Sequence, residues 1–180
     1  MSASSNPALL ETDAMQAYQR GDHSLASDLF QQAQRAYQTR GDTLKAAEMA
    51  NNRSVSLLQA GHAQAALDAV EGTPELFQQL GHPLEAAQAV GNVAAAQEEL
   101  GDLHNARKSY QECARMLGDL GASELQSGAL QALSRIQLKS GQPLPALAAM
   151  EASLEAQPQK NIRNRLLKRL LSIPDRMLKR

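Results

Sequence analysis

Leu80-Gly81-His82-Pro83-Leu84-Glu85-Ala86-Ala87 is followed, twenty residues after its glycine, by Leu100-Gly101-Asp102. Between the two glycines the chain is rich in Ala, Gln and Glu, and Pro83 stands at the very start. This is the composition of one helix closed by a glycine, since Gly favours the left-handed conformation that ends helices. Outward in both directions the interval repeats without slippage, at Gly21, Gly41, Gly61, Gly121 and Gly141. Such a grid predicts helix, tight turn, helix, with helices of about 16–18 residues, each roughly 25 Å long. The residues after the glycines agree. Asp22, Asp42 and Asp102 are N-cap types, and Pro83 and Pro143 fall where a first helical turn accepts proline. Asn6-Pro7 opens the first helix in the same way.

Two kinds of turn alternate, so the true unit is two helices in about 40 residues. Ala26, Ala66, Ala106 and Ala146 lie five residues after every second glycine. One helical turn on come Phe30, Val70, Tyr110 and Met150, and then the smaller Ala33, Thr73, Cys113 and Ser153. After Gly41 and Gly81 the phrase is different, Leu44-Lys45-Ala46-Ala47 and Leu84-Glu85-Ala86-Ala87. Internal periods of this length mean stacked helical hairpins. Glu71-Gly72-Thr73-Pro74 interrupts the second helix of unit 2. It predicts a stop near Val70 and a restart with Thr73 as cap and Pro74 in the first turn.

Composition supports an all-α chain. Aromatic residues are only 3% and Trp is absent, which is poor material for strands and for an aromatic cage or base-stacking platform. Cys113 is the single cysteine, so no disulfide forms within the chain, and a reducing, cytoplasmic setting fits. No apolar run of about 18 residues exists to span a membrane, and the first residues lack the pattern of a secretory signal.

This pattern resembles the tetratricopeptide repeat, in which a large, a small and an aromatic position mark the first helix and Ala, aromatic, Ala and Pro the second. The small first-helix positions here are Ala14, Ser54, Ala94 and Ser134, and the closing Pro is Pro158. Departures are Ala17, Leu57, Gln97 and Gln137 at the first-helix aromatic position. The longer unit is similar to the long-helix subgroup of Leu-Gly-Asn-rich G-protein-regulator scaffolds and kinesin light chains. The resemblance implies a right-handed α-solenoid of four helical hairpins over residues 8–158, in units of about 8–40, 41–80, 81–120 and 121–158. A flexible stretch, residues 1–7, precedes it. It also implies a concave groove that takes a peptide or helix, held in part by an asparagine ladder. Asn52 and Asn92 match the ladder position, with Asn51 beside the first. Mid-helix Asn that is merely exposed is the competing interpretation. Glu11, Met15, Glu48, Val55, Gln59, Gln88, Glu98, Gln131, Arg135 and Lys139 project onto the same groove. The clamp for a heat-shock-chaperone tail is not expected, because Glu11 and Met15, and then Gly91 and Ala95, stand where its cations and amide belong.

The net charge of −1 hides a division. Of 18 Lys and Arg, eight fall in residues 160–180, which hold a single acid, Asp175. The rest of the chain is correspondingly acidic. In residues 159–180 an apolar stripe, Ile162, Leu166, Leu167, Leu170, Leu171 and Ile173, is flanked by Arg163, Arg165, Lys168 and Arg169. This predicts a basic amphipathic helix that Pro174 ends or kinks. Three roles stay open for it: a cap over the last unit, a ligand for an anionic membrane surface or partner, and a cover over the chain's own groove.

No phosphate-binding glycine loop, His-Glu-x-x-His helix or nucleophile elbow is present, so no catalytic residue, cofactor or metal is expected. The four histidines all sit within three residues of a grid glycine, at turns. The expected function is a non-catalytic protein-interaction scaffold whose partner is another protein. An adaptor acting through the basic segment is the alternative in the same class, and an enzyme the alternative from another. Nucleic acid is not expected as a ligand, and the sequence leaves the oligomeric state open.

Overall fold

A computed structural model describes residues 6–157 of the chain. The predicted basic segment, with Arg163, Arg165, Lys168 and Arg169, lies outside the described residues, as do Pro158 and most of the N-terminal stretch. Among the described residues there are nine helices and no strand. In chain order these are α1 (Pro7–Gln19), α2 (His23–Thr39), α3 (Thr43–Gln59), α4 (Ala63–Val70), α5 (Thr73–Gln79), α6 (Pro83–Glu99), α7 (Leu103–Asp119), α8 (Ser123–Lys139) and α9 (Pro143–Ala156). The protein is an all-helical repeat. Five of the nine helices are 17 residues long, the length the glycine grid requires.

At every grid glycine the helix ends the same way, and the first shows how. Gly21 has φ +81°, in the left-handed region, and its N–H donates to the Tyr18 carbonyl at 3.0 Å. The N–H of Asp22 reaches back to the Ala17 carbonyl, also at 3.0 Å. These are the two bonds of a Schellman ending. Asp22 then opens the next helix, its Oδ1 accepting from the Leu25 N–H at 3.3 Å. Asp42 and Asp102 repeat this, accepting from the Lys45 and Asn105 N–H groups. A Gly-Asp pair thus closes one helix and caps the next with no residue to spare.

The described residues fall into two compact units, 6–106 and 107–157. In the first, α2 packs on both α1 and α3 around Ala14, Ala17, Ala26, Phe30, Ala33, Tyr37, Ala46 and Met49. So many alanines let helix axes approach closely, and Phe30 and Tyr37 fill the remaining space. A smaller cluster of Leu57, Ala66 and Ala96 joins α3, α4 and α6. In the second unit α8 packs on α9. Ser134 donates to the Ala146 carbonyl at 2.7 Å, and the buried hydroxyls of Ser127 and Ser153 share a hydrogen bond of 3.0 Å.

The predicted break is present, with one difference. Glu71 is extended, with ψ 130°, and Gly72 is left-handed, with φ +72°. Thr73 does not cap α5 by accepting an amide. Its hydroxyl instead donates to the Val70 carbonyl at 2.8 Å, tying the new helix to the end of the old one. Gly72 takes the N-cap place. The reason is the left-handed Gly72, which brings Thr73 back under the end of α4, where the carbonyls lack partners.

Candidate functional site

Three polar arrangements stand out, all in unit 6–106. The first joins α1, α2 and α3. Glu11 accepts from the Tyr37 hydroxyl at 2.7 Å and from Lys45 Nζ at 3.3 Å, and Lys45 also reaches Glu48 at 2.7 Å. Tyr37 is buried. Its phenol is pushed up to about 12, first by burial and then by its bond to the Glu11 carboxylate. Lys45 is held up to about 12, chiefly by the hydrogen bond to Glu48. The cluster is thus a neutral phenol and a cation bracketed by two carboxylates. Nothing in the 40-residue spacing announces it, although Lys45 and Glu48 at i and i+3 are a legible pair.

The second arrangement lies between two first helices. Asn92 Nδ2 donates to Asn51 Oδ1 at 2.7 Å, linking α6 to α3. Both residues are half-buried. Asn52 is the position equivalent to Asn92 in the repeat, and the contact is made by Asn51 beside it. Asn52 is rotated about 100° around the helix, is also half-buried, and its carbonyl accepts from the Ser56 hydroxyl at 3.0 Å. Glu48 and Val55 are half-buried, while Gln59 and Gln88 are exposed. Met15 is exposed as well. Glu98 departs from its projected place and is buried, because it falls one turn after the fully buried Ala94 on the same stripe of α6.

The third is a cavity of about 400 Å³ at the break. Its floor is Ala46, Ala47 and Ala50 of α3, and its walls include Gln34 and Gln38 of α2 with Asp68 and Thr73 from either side of the break. The signal that could have found it is the Glu71–Pro74 interruption itself.

In unit 107–157, Gln131, Arg135 and Lys139 are exposed along one side of α8, one turn apart. Gln131 Nε2 donates to the Ser127 hydroxyl at 3.3 Å. Cys113 is buried and its thiol is pushed up to about 11 by that burial, the behaviour of a packing residue rather than a nucleophile. Among the described residues no group of three or more His, Cys, Asp or Glu is placed to hold a metal. No described helix is long and apolar enough to cross a membrane.

These are surfaces for contact made of amides, carboxylates and small apolar residues on a helical repeat. A family model described as Soluble NSF attachment protein, SNAP, matches residues 3–119. The chain belongs to this family. The match takes in every helix from α1 to α7, so both the Asn51–Asn92 contact and the Glu11–Tyr37–Lys45–Glu48 cluster lie on the SNAP-like part. No curated protein matches the chain.

Proposed function

We propose that this protein is a non-catalytic adaptor that binds a segment of another protein along the polar side of its first helices, on α3 and α6. The observation that carries this is the Asn51–Asn92 hydrogen bond. It holds two half-exposed amides on neighbouring helices. Each keeps hydrogen-bonding capacity beyond the bond they share, because an amide has two N–H donors and a carbonyl with two lone pairs. Fixed amides spaced by adjacent helices suit an extended backbone, which needs donors and acceptors in alternation. Gln59 and Gln88 add exposed amides on the same two helices. The long-helix tetratricopeptide pattern supports the same role, as does membership of a family whose description is an attachment protein. That description also makes an NSF-type protein the first partner to test.

The test is affinity capture with the wild-type chain, followed by calorimetric titration of the captured protein. Replacing Asn51 and Asn92 together by Ala should weaken binding by about 1–3 kcal/mol, as loss of hydrogen bonds in a desolvated site does. The melting temperature should stay close to wild type, since both side chains are only half-buried. Unchanged affinity in the double variant removes this surface from the function.

A further inference from the structure

The cavity at the break between α4 and α5 is a second surface, apart from the polar side of α3 and α6. Glu48 is two residues from Ala46 and from Ala50, about 200° around the helix from each, so the cavity lies on the other side of α3 from Glu48. Its volume of about 400 Å³ falls within the roughly 300–1,000 Å³ of ligand-holding clefts. The floor is made of methyl groups, since Ala46, Ala47 and Ala50 are all buried. The rim is polar and carries one sign of charge. Asp68 and Glu71 line it, and among the described residues no Lys, Arg or His does. Asp68 accepts from the Gln64 side-chain amide at 2.9 Å, a neutral donor that leaves the carboxylate's charge uncancelled. Lys45, beside the floor in sequence, is held instead by Glu11 and Glu48 at 3.3 and 2.7 Å.

The end of α4 adds an independent preference for a cation. A helix leaves its last four carbonyls without helical partners, and they form the negative end of its dipole. In α4 these belong to Leu67, Asp68, Ala69 and Val70. Leu67 accepts from the Glu71 N–H at 3.1 Å, and Val70 from the Thr73 hydroxyl at 2.8 Å. The other two, Asp68 and Ala69, both line the cavity. The start of α5 borders it as well, but Pro74 there has no N–H, and Glu75 puts a further carboxylate in that first turn. On α2, Gln34 and Gln38 stand one turn apart and bring two amides to the same space. Gln38, Asp68 and Glu71 are exposed, so the mouth is open to a chain that passes over it.

A ligand suited to this space is apolar along its length and ends in a cation with many donors. An arginine side chain is such a group. Its stem can lie on methyl groups, and its planar fork of five N–H donors can meet carboxylates and amide carbonyls together. The geometry points to the cavity as a socket for one arginine of a basic segment in a partner protein. Ala46, Ala47 and Ala50 take the stem, and Asp68, Glu71 and the end of α4 take the guanidinium. This contact is separate from the Asn51–Asn92 surface and stands or falls without it.

Methyl-labelled alanine makes the floor its own reporter. The full chain is titrated with the blocked peptide Ala-Ala-Arg-Ala-Ala and followed by NMR. Saturable shifts are expected at the methyls of Ala46, Ala47 and Ala50, and none at Ala129 or Ala132 of α8. The same peptide with norleucine in place of arginine should bind about tenfold more weakly or worse, as loss of charged hydrogen bonds predicts. Asp68→Asn with Glu71→Gln should weaken the arginine peptide by a similar factor. Both positions are exposed, so this variant keeps the fold. Ala47→Leu fills the floor and should abolish the shifts at Ala46 and Ala50. The inference is overturned by the absence of saturable shifts at these methyls, or by unchanged affinity in the Asp68 and Glu71 variant. A folded Ala47→Leu chain that still binds overturns it too. An equal response to the norleucine peptide does so by making the cavity merely apolar. Equal binding of a single blocked arginine does so by assigning the cavity to a small cation in place of a partner protein.

Discussion

The second helices of the first two hairpins occupy equal lengths of chain and look quite different. α2 runs unbroken for 17 residues from His23 to Thr39. Ala63 to Gln79 fills the same length with two short helices and two turned residues between them. Yet the buried positions coincide at an offset of 40. Ala26, Phe30, Ala33 and Tyr37 on one side match Ala66, Val70, Thr73 and Phe77 on the other, and all eight are buried. The break falls at Glu71 and Gly72, which are exposed. The repeat is therefore held by a column of buried contacts and by its turns, and helical continuity is dispensable where the chain faces water. What the break adds is space, the cavity over Ala46, Ala47 and Ala50.

The buried column carries the largest expected effects. Phe30→Ala should cost about 3–5 kcal/mol in chemical denaturation, the usual range for a buried phenylalanine. Val70→Ala at the matching position should cost roughly 2 kcal/mol. Equal losses would mean that the two columns do not carry load in proportion to their volume. Next come the glycines. Gly61→Ala, at an ordinary joint, and Gly72→Ala, at the break, should each cost about 1–2 kcal/mol, since both are left-handed and neither has an atom within 4 Å of an added Cβ. A much cheaper Gly72→Ala would show that the break relaxes into continuous helix. Thr73→Val keeps the shape and removes the bond to the Val70 carbonyl, for a loss of about 1 kcal/mol. Ala33→Thr at the equivalent place in α2 forces two extra heavy atoms into a fully buried site and should destabilise.

The smallest effect separates Tyr37 from its counterpart Phe77. Tyr37 has a folded pKa raised to about 12 from an ordinary 10.0. A raised pKa favours the neutral phenol in the folded state. Its contribution is complete below pH 10 and is lost as pH climbs through about 12. Lys45, raised in the same range, shifts stability in the same direction. Melting temperatures should fall between pH 10 and 12, and Tyr37→Phe should flatten part of that fall. An unchanged slope in Tyr37→Phe would show that neither burial nor the bond to Glu11 holds its phenol neutral in solution.

Helix number, lengths, joints and the break were legible because each is written locally. A left-handed glycine, an Asp that caps and a proline in a first turn act within a few residues of themselves. The contacts across helices were not. Forty-residue arithmetic sets Asn52 and Asn92 at equivalent positions, but it does not say that Asn92 meets Asn51, the neighbouring residue. Glu98 looked like a surface residue until the stripe it shares with Ala94 placed it inside. Tyr37, Glu11 and Lys45 come from three helices, and no spacing rule links them. Thr73 was correctly placed at the restart and misjudged in its chemistry, because donor or acceptor was decided by the turn of Gly72.

The shared Gly-Asp joint has a consequence for how such a chain can change length. The glycine and the residue after it close one helix and open the next between them, so a joint has no slack in which to lose an insertion. Adding one residue inside α3 would rotate everything after it by about 100° and carry its alanine stripe away from its neighbours. The chain can grow by whole forty-residue steps and by little else. Glu71–Gly72 is different, a turned, solvent-facing pair where an extra residue can bulge outward without turning Thr73 and Phe77 from the core.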